Sequence, residues 1–108
     1  MRHRGNILVL VAGIGLTASY SIDGASADAR RGQALAEEWC SSCHAVAPNA
    51  ARNPAAPAFA EIAAEPSATE YGLRVFLRTP HATMPNFVLK PNEIDDIVSY
   101  IRALRRHW

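Results

Sequence analysis

Apolar residues fall at helical spacing in four stretches of the chain. In the first, Gly32, Leu35, Ala36, Trp39 and Cys43 recur three or four positions apart, with Asp28 placed as an N-cap or a favourable first-turn charge. The glycine in this pattern costs about 1 kcal/mol against alanine, which asks for a reason such as the close approach of another helix. From Ala45 to Pro57 the pattern is lost, and Pro48, Asn49, Asn53, Pro54 and Pro57 predict an irregular segment. Phe59, Ile62 and Ala63 then predict one or two helical turns, stopped by Pro66. Ser67-Ala68-Thr69-Glu70 reads as an S-x-x-E capping box ahead of a helix with Leu73, Phe76 and Leu77 on its apolar face and Pro80 at its end. Glu70, Arg74 and Arg78 lie one turn apart, the pattern of a solvated face with an i,i+4 ion pair. Pro91 opens the last helix, where Ile94, Ile97, Val98, Ile101 and Leu104 make one apolar stripe. Glu93, Asp95 and Asp96 sit towards the start of that helix, and Arg102, Arg105 and Arg106 complement the dipole at its end.

The N-terminus has a different pattern. Arg2, His3 and Arg4 precede a short apolar run from Ile7 to Leu16, and Ala25-Ser26-Ala27 supplies a small-residue cleavage site. Residues 1–27 are therefore expected to be a signal peptide cut after Ala27, because the apolar run is short against the roughly 20 residues that span a bilayer. An uncleaved membrane anchor is the alternative reading. Cleavage leaves 81 residues, one domain, 28–108, in an exported compartment read as the bacterial periplasm. A chain of that size stabilises itself only marginally with side chains alone. Aromatic content of 7% and abundant alanine leave room for a large planar group. Residues 28–108 carry nine Lys or Arg and nine Asp or Glu, so the domain is formally neutral, and no basic surface of the kind that binds nucleic acid is present.

The chemistry is concentrated in Cys40-Ser41-Ser42-Cys43-His44, which has the spacing of a covalent c-type haem attachment site. Thiols three positions apart on a helix reach the two vinyl groups along one porphyrin edge, and the next residue, His44, can turn its imidazole under the ring as proximal iron ligand. Three other readings compete. A thioredoxin-like dithiol needs a βαβ context, and no strand pattern surrounds the motif. A zinc site needs a second cysteine pair, and the chain has only two cysteines. A plain disulfide remains compatible with an exported protein. The second informative segment is Thr79 to Phe87, with two prolines, no periodicity and two candidate ligands. Met84 offers a soft thioether on a backbone stiffened by Pro85, against the reading of a methionine that fills a core gap. His81 is the rival ligand on the same chemistry.

Taken together, Gly32 eight positions before Cys40, the Cys40–His44 site, Pro57-Ala58-Phe59, Leu73 to Leu77, His81 to Phe87 and Glu93 to Ile101 resemble the class I cytochrome c family over nearly all of residues 28–108. The resemblance implies an all-α cytochrome c fold with crossed N- and C-terminal helices around one covalently attached haem c. Gly32 then allows contact with the Ile97 and Tyr100 face. It further implies Met84 as the distal ligand, with His81 a loop residue, and Pro57 as the proline whose carbonyl accepts a hydrogen bond from His44. Two departures stand out: Lys90 occupies the N-cap position of the last helix, and it is also the only lysine, so the lysine ring by which mitochondrial members meet acidic partners is missing. The function implied is one-electron transfer, not enzymatic catalysis, from a dehydrogenase or quinol-oxidising complex to an oxidase or other acceptor. The expected protein is a monomer with redox protein partners, no small-molecule substrate and no membrane anchor. The alternatives are a haem enzyme or gas sensor with a labile distal ligand, or a dedicated cytochrome subunit of a dehydrogenase. No role is assigned to Trp108.

Overall fold

A computed structural model describes residues 27–105, together with Leu10, Gly13 and Gly15. The leader expected over residues 1–27 lies almost wholly outside this set, as do Arg106 and Trp108. The order of elements is α1 (Ala29–Trp39), α2 (Phe59–Ala64), α3 (Glu70–Arg78) and α4 (Pro91–Leu104), with no strand among the described residues. The fold is all-α. No helix among the described residues is long and apolar enough to cross a membrane.

The architecture rests on the crossing of α1 over α4. A Cβ on Gly32 would fall onto the Asp96 carbonyl group and come within 2.9 Å of the Ile97 nitrogen, so only glycine lets the two backbones meet there. Beside that point Asp96, 3% exposed, accepts hydrogen bonds from the Asp28 backbone N–H at 2.7 Å and from Arg31 Nε at 3.1 Å. A buried carboxylate without such partners would be strongly destabilising. Asp28 also caps α1, its carboxylate accepting from the Arg30 and Arg31 amides at 2.8 and 3.3 Å. One aspartate therefore starts α1 with its side chain and joins it to α4 with its backbone.

The apolar stripe of α4 forms the core as its spacing predicts: Ile94, Ile97, Val98, Ile101 and Leu104 are all buried. Ala36, Phe59, Ala63 and Leu73 bring the other three helices onto it, and the Tyr100 hydroxyl donates to the Val46 carbonyl at 2.7 Å, fastening the segment after His44 to α4. The start of α4 has no side-chain N-cap at Lys90, but Glu93 accepts the Lys90 backbone N–H at 2.8 Å, half of a capping box, and Pro91 has no N–H to satisfy.

One local reading is corrected and another is extended. The capping residue of α3 is Thr69, whose hydroxyl accepts from the Gly72 amide at 3.0 Å, and not Ser67. The chain first turns between Glu65 and Ala68, with the Ala68 amide on the Glu65 carbonyl at 3.0 Å, and burial of Ala68 moves the helix start two residues on. Arg74 is more than part of a solvated face. It meets Glu70 at 2.7 Å within α3 and Asp95 at 2.7 Å across to α4.

Candidate functional site

The last turn of α1 delivers the chain into the cysteine motif. Cys40 is the C-cap, its N–H donating to Ala36 at 2.9 Å, and the Cys40 carbonyl then accepts from the amides of Cys43 at 3.2 Å and His44 at 2.9 Å. This tight turn brings His44 back beneath the helix end. Cys40 is 8% exposed, and burial pushes its thiol up to about 11, so in the folded chain it stays protonated at neutral pH. Cys40 and Cys43 are not bonded to each other, and no group of three His, Cys, Asp or Glu among the described residues is placed to hold a metal ion such as zinc.

His44 is oriented by the irregular segment that follows. Its Nδ1 lies 2.6 Å from the carbonyl oxygen of Pro57. A carbonyl can only accept, so Nδ1 carries the proton and Nε2 is left with the free lone pair. The Phe59 ring packs on the imidazole at a centroid distance of 5.3 Å, and the Phe59 amide donates to Ala45 at 2.9 Å. Asn53 is a residue that sequence reasoning missed as a structural tie. Its Nδ2 donates to the Ser42 carbonyl at 3.1 Å while its Oδ1 accepts from the Ala55 amide at 2.9 Å, linking the proline-rich segment to the cysteine motif. The available signal was Asn-Pro at 53–54, the composition of a side-chain-supported turn.

On the opposite side, the segment from Thr79 to Lys90 carries no helix. Thr83 adopts φ 69°, a left-handed conformation that β-branched residues rarely take. It sets the direction of Met84, which is half-buried. The Met84 sulfur lies 2.8 Å from His81 Nε2, while His81 Nδ1 is 2.9 Å from the Thr79 carbonyl and the ring stacks on Phe76 at 3.8 Å. Phe87 meets Trp39 edge to face at 5.6 Å, the contact that brings this loop to the end of α1. Trp39 is therefore a residue of the cleft edge, 44% exposed, and not of the core. Phe76, which its spacing places on the buried face of α3, is 50% exposed and lines the same cleft.

Between the two sides is an open cleft of about 1040 Å³, lined by Cys40, Cys43, His44 and Pro57 on one wall and His81 and Met84 on the other. That volume is at the top of the range of about 300–1,000 Å³ usual for small-molecule sites. Apolar side chains, among them Leu73, Phe76 and Phe87, make up much of the remainder. Two thiols at one edge, an imidazole with Nε2 free, a thioether and apolar walls form a donor set that suits a haem held through its vinyl groups and its iron. The five residues singled out for that role, Cys40, Cys43, His44, Pro57 and Met84, converge on this one cleft.

Comparison with known proteins points the same way. A family model described as "Cytochrome C oxidase, cbb3-type, subunit III" matches residues 27–101. The chain is 43% identical over 103 residues to a protein named cytochrome c-552 from Bradyrhizobium diazoefficiens, a match that covers 94% of each chain. No solved structure matches.

Proposed function

The chain belongs to the class I c-type cytochromes, in the family described as cbb3-type cytochrome c oxidase subunit III, and from that premise we propose that it is a periplasmic monohaem carrier of single electrons with His44 and Met84 as its axial pair. One observation carries the ligand assignment. His44, its Nδ1 engaged by the Pro57 carbonyl at 2.6 Å, lines the same cleft as the Met84 thioether and both cysteine thiols.

A haem bound here supplies one-electron chemistry at its iron. Cys40 and Cys43 would hold it as thioethers. The Pro57 carbonyl fixes the ring plane of His44 and strengthens Nε2 as a donor. Met84 would hold the iron as its second protein ligand, where a thioether favours the ferrous state and raises the potential. With both positions taken there is no site for a substrate, so exchange of an electron with a docked protein is the reaction left. The domain is formally neutral. Partners accordingly dock through apolar contact, with rates that depend weakly on ionic strength. A dehydrogenase or quinol-oxidising complex is the donor class, and the family's description as an oxidase subunit supports an oxidase as acceptor. The leader over residues 1–27 exports the chain and is removed after Ala27.

The reading is tested on the purified protein by mass spectrometry and by the absorption spectrum of the reduced form before and after carbon monoxide. The expected results are one covalent haem per chain and a low-spin spectrum that carbon monoxide leaves unchanged. Rapid formation of a carbonyl adduct at neutral pH would move the assignment to a gas-binding or catalytic haem protein.

A further inference from the structure

The two histidines of the cleft are prepared in the same way. His44 has Nδ1 2.6 Å from the Pro57 carbonyl oxygen, and His81 has Nδ1 2.9 Å from the Thr79 carbonyl oxygen. Since a carbonyl accepts only, both imidazoles carry a proton on Nδ1, which makes Nε2 the nitrogen of each ring that can reach iron. In His81 that nitrogen is 2.8 Å from the Met84 sulfur, and the ring is held against Phe76 at 3.8 Å with an interplanar angle of 35°. Both side chains line the cleft and both are half-buried. The two candidate iron donors of this wall, Met84 Sδ and His81 Nε2, are therefore side by side.

We propose that His81 is a second distal ligand, which takes the iron through Nε2 whenever the Met84 thioether leaves it. The inference rests on the reading of Met84 as the resident ligand. In the exchange, the coordination bond from Met84 Sδ breaks and one from His81 Nε2 forms. Nδ1 keeps its proton on the Thr79 carbonyl, the proton that Nε2 shares with the sulfur passes to solvent in the open cleft as the iron bond forms, and no electron is transferred. The two donor atoms are so close that a small shift of the Thr79–Phe87 loop is enough. The consequence is a haem that remains six-coordinate, and closed to outside ligands, even with its sulfur ligand withdrawn. Because nitrogen stabilises ferric iron better than a thioether does, the exchanged form has a lower potential.

Four holoproteins decide the matter: the wild type, Met84→Ala, His81→Ala and the double variant, each examined by absorption and by electron paramagnetic resonance of the ferric form, with carbon monoxide binding to the ferrous form. The wild type and His81→Ala should share the methionine-to-iron charge-transfer band. Met84→Ala should lose that band, stay low-spin with the signature of two nitrogen ligands, show a lowered potential, and bind carbon monoxide about tenfold or more slowly than the double variant, which should be high-spin. If Met84→Ala does not retain a folded holoprotein, Met84→Leu, which conserves volume without a donor atom, serves for the same comparison. A methionine-free variant as high-spin and as fast with carbon monoxide as its double counterpart overturns the second-ligand role and leaves Met84 as sole distal ligand. Absence of the charge-transfer band in the wild type, with His81→Ala alone turning high-spin, overturns the Met84 reading itself and the second-ligand role with it.

Discussion

The two walls of the cleft are built differently. The wall that carries His44 continues the core: Ala45 and Val46 are buried, Phe59 packs behind the imidazole, and the Tyr100 hydroxyl fastens Val46 to α4, which in turn crosses α1 at Gly32. The wall that carries Met84 is a loop from Thr79 to Lys90 with half-buried side chains at His81, Met84, Phe87 and Leu89 and a fully exposed Val88 between them. The same cleft thus joins a donor embedded in the core to one on a loop tied to the helices by Phe87 against Trp39 and His81 against Phe76. Opening on the Met84 side is expected to cost much less than global unfolding, while release of His44 requires it.

Substitutions on the core side should lower global stability and leave the proposed ligation by Met84 in place. The largest effect is expected from Ile97→Ala, which removes a side chain 1% exposed at the helix crossing and should cost about 2–5 kcal/mol in chemical denaturation. Gly32→Ala should cost about 1–3 kcal/mol, because its Cβ forces apart backbones that no rotamer change can relieve. If either variant instead raises the rate of carbon monoxide binding at unchanged stability, the two walls are not independent.

On the loop side, Thr83→Gly relieves a left-handed residue, worth about 1–2 kcal/mol. The added chain entropy of glycine opposes it by about 0.5–1 kcal/mol. A net change of at most about 1.5 kcal/mol is expected in chemical denaturation, with any larger response confined to carbon monoxide binding. The smallest effect belongs to Asp28→Asn, which keeps a capping oxygen on α1 and removes only the charge. Hydrogen bonds from the Arg30 and Arg31 amides, and then the charges of Arg31 and Arg30, hold the Asp28 carboxyl below its ordinary 3.8. A depressed folded value stabilises the protein above pH 3.8, and that stability is lost as pH falls through the lower folded value. The stability difference between wild type and Asp28→Asn should therefore be constant at neutral pH and shrink below pH 3.8.

Much of this was legible in the residues. The stripe of α4 is buried as its spacing predicts, the prolines mark the loops, and the glycine inside the pattern of α1 does meet another helix. What the pattern could not show depends on partners distant in sequence. Asp96 reads as one of several acidic residues near a helix start. It is the buried one because Asp28 and Arg31, more than 60 positions earlier, arrive beside it. Phe76 satisfies the spacing of a core residue, yet the cleft passes on its side of α3, and a periodicity argument cannot distinguish a cleft wall from a core. The Ser67 reading failed because a four-residue motif says nothing about the burial of Ala68, which places the start of α3. Neither Asn53 nor the closeness of His81 to Met84 has a periodic signature at all.

The hydrogen bond from the Asp28 nitrogen to Asp96 at 2.7 Å gives export a thermodynamic side. Cleavage after Ala27, as proposed, would turn that amide into the first amino group of the new chain. Asp96 would then face an ammonium as well as the Arg31 guanidinium, and a neutral hydrogen bond at the helix crossing would become an ion pair with one member almost fully enclosed. Signal peptidase would in this way complete the charge balance of the interior, and a chain carrying even one extra residue before Asp28 would fold around the same carboxylate with one cation fewer.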